Sequence, residues 1–216
     1  MVTLQLRQLI VQPGHRVQFQ DVTWTEFEAI LTELGDHRPS RLAYAQNILE
    51  IRMPLPKPEK AKVILDDIVK ILLAELNLDH ESFGSSTFKR ADMAVGIEPD
   101  DCFYIQNAAQ MIGKDRVNLA IDPPPDLAIE VDVTSKTGLA AYQALGVPEL
   151  WRFEDGQLRI SVLQAGTYQD RPRSTHFPQF DLIQLAEETL ARSQTTGQSQ
   201  ALRVFRSTLR GLLGLA

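Results

Sequence analysis

The chain has 216 residues, 44% apolar and 23% charged, with a formal net charge of −6 and a single cysteine. Such a chain can bury a sizeable core as one domain plus a tail, and its acidic balance argues against a protein that coats nucleic acid through a general positive field. No stretch nears the ~20 apolar residues of a membrane span and no basic start leads into an apolar run, so a soluble, cytoplasmic protein is expected. Cys102 has no partner for an intrachain disulfide and no second Cys or His at zinc-ligand spacing.

Residues 23–34 open with Thr23 and carry Glu26 three positions later, the spacing of a capping box. Phe27, Ile30, Leu31 and Leu34 follow at helical intervals and Gly35 suits the C′ position, so a first helix is predicted. Residues 41–45 and 48–53 flank Gln46 and Asn47 and alternate in polarity, the pattern of a hairpin. A proline-spaced link then leads into residues 61–76, where Ile64, Leu65, Ile68, Ile71 and Leu72 form one apolar stripe of a second, longer helix.

Beyond Asn77 the pattern turns to short alternating runs at 83–88 and 102–106, then to three prolines at 123–125; these read as strands separated by loops. Pro125 cannot donate a ladder hydrogen bond and marks the first residue of the next strand. Residues 137–145 make a short helix closed by Gly146, and 149–154 and 157–163 are strands joined by Asp155-Gly156, a hairpin signal. Tyr142, Trp151 and Phe153 read as core rather than as a base-stacking platform.

The strand character fades after Asp181, and residues 194–200 (QTTGQSQ) read as a polar linker, so the chain divides into a domain at 1–185 and a tail at 186–216. The stretch 192–216 holds Arg192, Arg203, Arg206 and Arg210 and no Asp or Glu. Leu202, Phe205, Leu209 and Leu212 recur there at helical spacing, which predicts a basic amphipathic helix docked on the domain or on a second copy, in preference to a nucleic-acid arm.

The chemistry concentrates at 125–136 (PDLAIEVDVTSK). In a strand, Leu127, Ile129, Val131 and Val133 share one face, while Asp126, Ala128, Glu130 and Asp132 share the other. Two unit charges about 4 Å apart repel by roughly 4 kcal/mol at an effective dielectric of 20, so a buried face of this kind needs a compensating cation. Mg²⁺ supplies it with one or two carboxylates, waters and phosphate oxygens as ligands; a solvated or salt-bridged acidic face is the plainer alternative. Glu130 is the best single ligand candidate. If the run after Asp100, in which Cys102, Tyr104 and Gln106 alternate with Phe103 and Ile105, pairs beside this strand, Asp100 faces Glu130.

Proline-Asp followed by a later acid on a hydrophobic strand resembles the PD-(D/E)XK nuclease superfamily. More specifically, 98–107 (EPDDCFYIQN), 122–136 (DPPPDLAIEVDVTSK) and 142–153 (YQALGVPELWRF) together resemble the Uma family of restriction-endonuclease-like domains. The resemblance implies an α/β fold with a restriction-endonuclease-like core (helix, three strands, helix, strand), a mixed central sheet and an added N-terminal helix and hairpin. It implies a metal-dependent endonuclease in which Asp100 and Glu130, with Asp132, hold Mg²⁺ or Mn²⁺, with Asp92 as second choice for the first acid. The partner it implies is nucleic acid, DNA foremost.

One departure from the superfamily pattern is plain: its lysine, two residues after the third-strand acid, is here Asp132. Lys136 is the nearest lysine able to take that role, with a solvated loop lysine as the alternative. A Glu-His pair in the link before the long helix is replaced by Lys57-Pro58-Glu59, leaving Glu59, Glu50 and Gln106 as supporting candidates. The rival reading is a nuclease fold that has lost catalysis and serves as a binding module, in one form a homodimer.

Overall fold

Five layers can be traced through the computed structural model, which describes residues 8–35, 38–54, 56–131 and 135–215. Helix α1 (Trp24–Leu34) starts where its capping box dictates: Thr23 Oγ1 accepts from the Glu26 amide, and Glu26 Oε2 accepts from the Thr23 amide at 2.8 Å. Its Phe27 stacks on Tyr44 with ring centroids 4.6 Å apart. A Cβ at Gly96 would come within 2.7 Å of the Phe27 ring, so the absent side chain lets helix and sheet approach.

The sheet beneath α1 is built on the hairpin of β2 (Arg41–Ala45) and β3 (Ile48–Arg52). Gln46 and Asn47 both take positive φ, 54° and 59°, as a tight two-residue turn requires. With β1 (Arg16–Phe19), β5 (Phe88–Arg90) and β6 (Val95–Ile97) it forms an antiparallel sheet of order β1-β3-β2-β6-β5. The second sheet contains β4 (Glu81–Ser82), β7 (Asp101–Tyr104), β8 (Leu127–Val131), β9 (Glu149–Glu154), β10 (Gln157–Gln164) and β11 (Thr167–Arg171), in the order β11-β10-β9-β8-β7-β4. It is mixed: β8 and β9 run parallel, and helix α4 (Lys136–Leu145) crosses between them.

Helix α2 (Pro56–Glu75) covers the outer face of the second sheet. Its Ile64, Leu65, Ile68, Val69 and Leu72 bury against Leu127, Ile129 and Val131 of β8, each worth roughly 1.5–3 kcal/mol over exposure. The other face of β8 meets α4: Ala128 joins Ala141, Tyr142 and Leu145 in a core completed by Ala43, Ala45 and Ile97 of the first sheet. Helix α4 is thus sandwiched between the two sheets. In chain order α2, β4, β7, β8, α4 and β9 give the expected helix, three strands, helix and strand, while β5 and β6 leave to join the first sheet.

Several boundaries differ from the sequence reading. Helix α2 begins inside the proline-spaced link, because proline's missing amide costs nothing in a first turn. The predicted strand at 83–88 is a turn followed by β5, β8 begins at Leu127 rather than Pro125, and β1, β11 and helix α3 (Ala108–Met111) were not foreseen. The predicted linker at 194–200 is almost wholly helical: α5 (Leu182–Thr196) and α6 (Gln198–Leu212) meet at Gly197, whose φ of 85° breaks the helix. The division at 185–186 falls within α5. Leu190, Phe205 and Leu209 share one core with α2, and Glu75 of α2 takes Arg206 Nε at 2.9 Å and Arg210 Nη1 at 3.4 Å. The basic helix therefore docks on its own domain.

Candidate active site

Period-two alternation along β7 and β8 builds the site. Their antiparallel register pairs Asp101 with Ile129, so Asp100 stands across from Glu130. The Val131 amide donates to Asp100 Oδ2 at 2.9 Å and fixes that carboxylate against β8. Asp100 and Glu130 are 4% and 5% exposed, so water compensates little of their mutual repulsion.

The compensation comes from the other sheet. Leu49 and Ile51 of β3 bury under α1, which turns Glu50 and Arg52 toward α4 and β8. Arg52 Nη2 donates to Asp100 Oδ1 at 2.8 Å and to Glu130 Oε2 at 3.1 Å, and its Nη1 donates to the Val131 carbonyl at 3.2 Å. From α4, the Tyr142 hydroxyl donates to Glu130 Oε1 at 2.6 Å. Burial, reinforced by the charge of Asp100, pushes the Glu130 carboxyl well above its ordinary range, against the opposing pull of Arg52 and the Tyr142 hydrogen bond. Burial and the neighbouring Glu130 likewise raise the Tyr142 hydroxyl. For Arg52 burial works against the charge, yet Glu130 and Asp100 outweigh it and hold the guanidinium protonated.

The cluster opens on a small recess of about 20 Å³ lined by Arg41, Glu50, Arg52, Glu130, Ser135 and Gly138. Ser135 is the N-cap of α4, its hydroxyl accepting from the Gly138 amide at 2.9 Å, so the helix N-terminus lies at the recess. Arg41 and Glu98 also line a neighbouring cleft of about 620 Å³ that contains Arg38, Lys89, Arg116 and Asp115. Four cations against two acids line this cleft, with Arg38 paired to Glu98 and Lys89 to Glu28 outside the lining, so the excess positive charge rests on Arg41 and Arg116. Arg41 Nε is buried there without a hydrogen-bond partner.

Of the residues singled out from sequence, Asp100 and Glu130 are brought together and Glu50 joins them in the recess, where its Oε2 accepts from Gln18 Nε2 at 2.8 Å. Asp132 lies outside the described residues. Lys136 opens α4 beside Ser135, with its side chain exposed and outside the lining of the recess. Glu59 sits in the first turn of α2, and α2 packs on the opposite face of β8 from Glu130. Gln106 is exposed just beyond the Tyr104 end of β7, away from Asp100, and does not reach the cluster. Asp92 pairs with Arg90 on the surface, which leaves Asp100 as the acid that meets Glu130. Asp126 accepts from the amides of Ile105 and Asn107 at 2.7 and 3.0 Å and from Asn107 Nδ2 at 2.6 Å, a structural role.

Two site residues were missed. Tyr142 was read only as core, and it is both core and hydrogen-bond donor. Arg52 had a signal: in the hairpin it alternates with Ile51 and shares a face with Glu50, so one face of a predicted β-strand carried an acid and a base inward.

No group of three or more His, Cys, Asp or Glu side chains placed to hold a metal occurs among the described residues. The donor set at Asp100, Glu130 and the Val131 carbonyl nevertheless consists of hard oxygens converging on a cation, here a guanidinium, and that chemistry suits Mg²⁺ or Mn²⁺ completed by water and phosphate oxygens. No helix among the described residues is long and apolar enough to cross a membrane.

Residues 24–195 match the model of the Uma2 family, described as "Putative restriction endonuclease". Among solved structures, a crystal structure from Anabaena variabilis described as "a putative nuclease belonging to DUF820" is similar at 16% identity and a TM-score of 0.47, covering 71% of this chain and 87% of that one. No curated protein matches the chain.

Proposed function

The chain belongs to the Uma2 family, and from that premise we propose that it is a metal-dependent endonuclease hydrolysing phosphodiester bonds of nucleic acid, DNA foremost. The observation that carries the reading is that Asp100, Glu130 and the Val131 carbonyl all meet one buried guanidinium, the carboxylates at its Nη2 and the carbonyl at its Nη1, beside a basic cleft.

Asp100 and Glu130 would hold Mg²⁺ or Mn²⁺, with Asp132 as a further ligand. When bound, the ion supplies Lewis acidity toward a phosphoryl oxygen and lowers the pKa of a water. The chain's own residues do the rest. The Val131 amide holds Asp100 in place, and the Tyr142 hydroxyl fixes the rotamer of Glu130 from a helix sandwiched between two sheets. Arg41 and the cations of the cleft attract and align the phosphate backbone. Lys136, exposed in the first turn of α4, would offset the charge that develops on a bound phosphate.

Plasmid and single-stranded DNA incubated with the protein and Mg²⁺ or Mn²⁺ test the proposal. Cleavage by the native chain should fall by about 100-fold or more in Glu130→Ala, at or beyond what loss of a group supporting a metal ligand costs. Cleavage that survives the substitution would place the chemistry elsewhere.

A second reading is a binding module without catalysis, as monomer or homodimer. Asp132 standing where the superfamily has its lysine favours it. It expects DNA retarded in a gel with no strand broken at any divalent-ion concentration.

A further inference from the structure

The metal reading above leaves one cation unaccounted for. Arg52 is the last residue of β3, contributed by the first sheet, yet the carboxylates it touches lie on the second, Glu130 within β8 and Asp100 immediately before β7. Its Nη2 is shared between Asp100 Oδ1 and Glu130 Oε2, and its Nη1 takes the Val131 carbonyl. These are the same three oxygens that a divalent ion would use. With the guanidinium in place, the recess leaves room for little more than a water molecule.

We propose that Arg52 is a built-in competitor of the divalent cation at this site: guanidinium and ion occupy the Asp100–Glu130–Val131 point alternately, and the ion binds only as Arg52 withdraws. The inference rests on the proposed metal site. Shared ligands are one ground for the exclusion, since an ion about 2.0–2.1 Å from each oxygen would take the lone pairs that the N–H groups now occupy. Charge is the other, because a guanidinium a few ångströms from a divalent ion is repelled in a poorly solvated setting. Arg52 has a route out. Its side chain is 14% exposed at the end of its β-strand, and Glu50, two residues back on the same face, lines the same recess and offers it a third carboxylate.

Without metal, the guanidinium balances two buried acids and keeps the site assembled. A consequence is that divalent-ion affinity is set by an arginine outside the acidic motif, and that phosphate, which attracts a guanidinium, should tighten ion binding by drawing Arg52 away.

Mn²⁺ titration of the full chain, read by calorimetry and by the electron paramagnetic resonance of free ion, tests this without any activity. Arg52→Met should lower the Mn²⁺ Kd at least tenfold and enlarge the rise in Tm that Mn²⁺ produces, while Arg52→Lys stays near the native value. Arg52→Gln keeps donors without charge, and should also bind Mn²⁺ more tightly than the native chain; it serves where the methionine variant fails to fold. Adding Glu130→Gln to either neutral variant should abolish the gain. Equal or weaker affinity in both neutral variants, with Mn²⁺ still bound at Glu130, would overturn the competition but leave the metal site standing. No Mn²⁺ binding by any variant at millimolar ion would overturn both.

Discussion

The two ends of β8 each carry a buried carboxylate, and their partners differ in kind. At the N-terminal end Asp126 is met by two backbone amides and an Asn107 side chain, all from one turn 19 to 21 residues away in sequence. At the C-terminal end Glu130 is met by Arg52 and Tyr142, long side chains delivered from another sheet and from α4. Amides held in a turn cannot leave without unfolding it, whereas side chains can rotate away. A carboxylate satisfied by backbone is therefore committed to structure, and one satisfied by side chains remains available to a ligand.

The sharpest way to break this contrast is to remove each acid in turn. Asp126→Ala should cost about 3–5 kcal/mol in urea unfolding, since three donors lose a charged acceptor in a site that is 1% exposed. Glu130→Gln should cost less, about 1–3 kcal/mol at neutral pH, because the amide oxygen still accepts from Tyr142 while its NH2 group is left facing the Arg52 donor. Equal losses at both ends would refute the distinction.

Asp101 is an intermediate case on the adjacent β-strand. Among the described residues its side chain accepts from the Cys102 amide alone, and burial, followed by the nearby charge of Asp66, raises its carboxyl to about 6 from an ordinary 3.8. A raised acid pKa means that the folded state holds the proton more tightly, so the native chain loses stability as pH rises through 6. Asp101→Asn should then stabilise by about 1–3 kcal/mol at pH 8, and the gain should vanish below about pH 4. Thermal unfolding across that range reads it directly; a gain that does not vary with pH would mean that packing, not charge, is responsible.

The smallest effect belongs to the exposed extreme. Arg206 is 52% exposed where it meets Glu75, and Arg210 remains to share that acid. Arg206→Ala should cost only about 0.2–1 kcal/mol, and less at high salt.

Local rules made much of this legible. The capping box located α1, the alternation of 127–131 separated an apolar face from an acidic one, and the same alternation placed Asp100 opposite Glu130 once β7 and β8 paired. What escaped had distant causes. Arg52 acts 48 residues from Asp100 and 78 from Glu130, and no local pattern encodes that one sheet will offer its cation to the other. The polar composition of 194–200 read as a linker because propensity alone ignores that α5 and α6 are held by a shared apolar core. Gln106 was placed by extending an alternation that the chain abandons at Tyr104.

The sandwiching of α4 between two sheets also sets a timetable. Arg52 leaves a ribosome 78 residues ahead of Glu130, an interval of about 4–16 s at ordinary synthesis rates. During that interval the nascent hairpin presents a guanidinium and Glu50 with neither of their later carboxylate neighbours yet made. The cation of this site thus exists before its anions do, and the acids of β7 and β8 are born with their counter-charge already waiting.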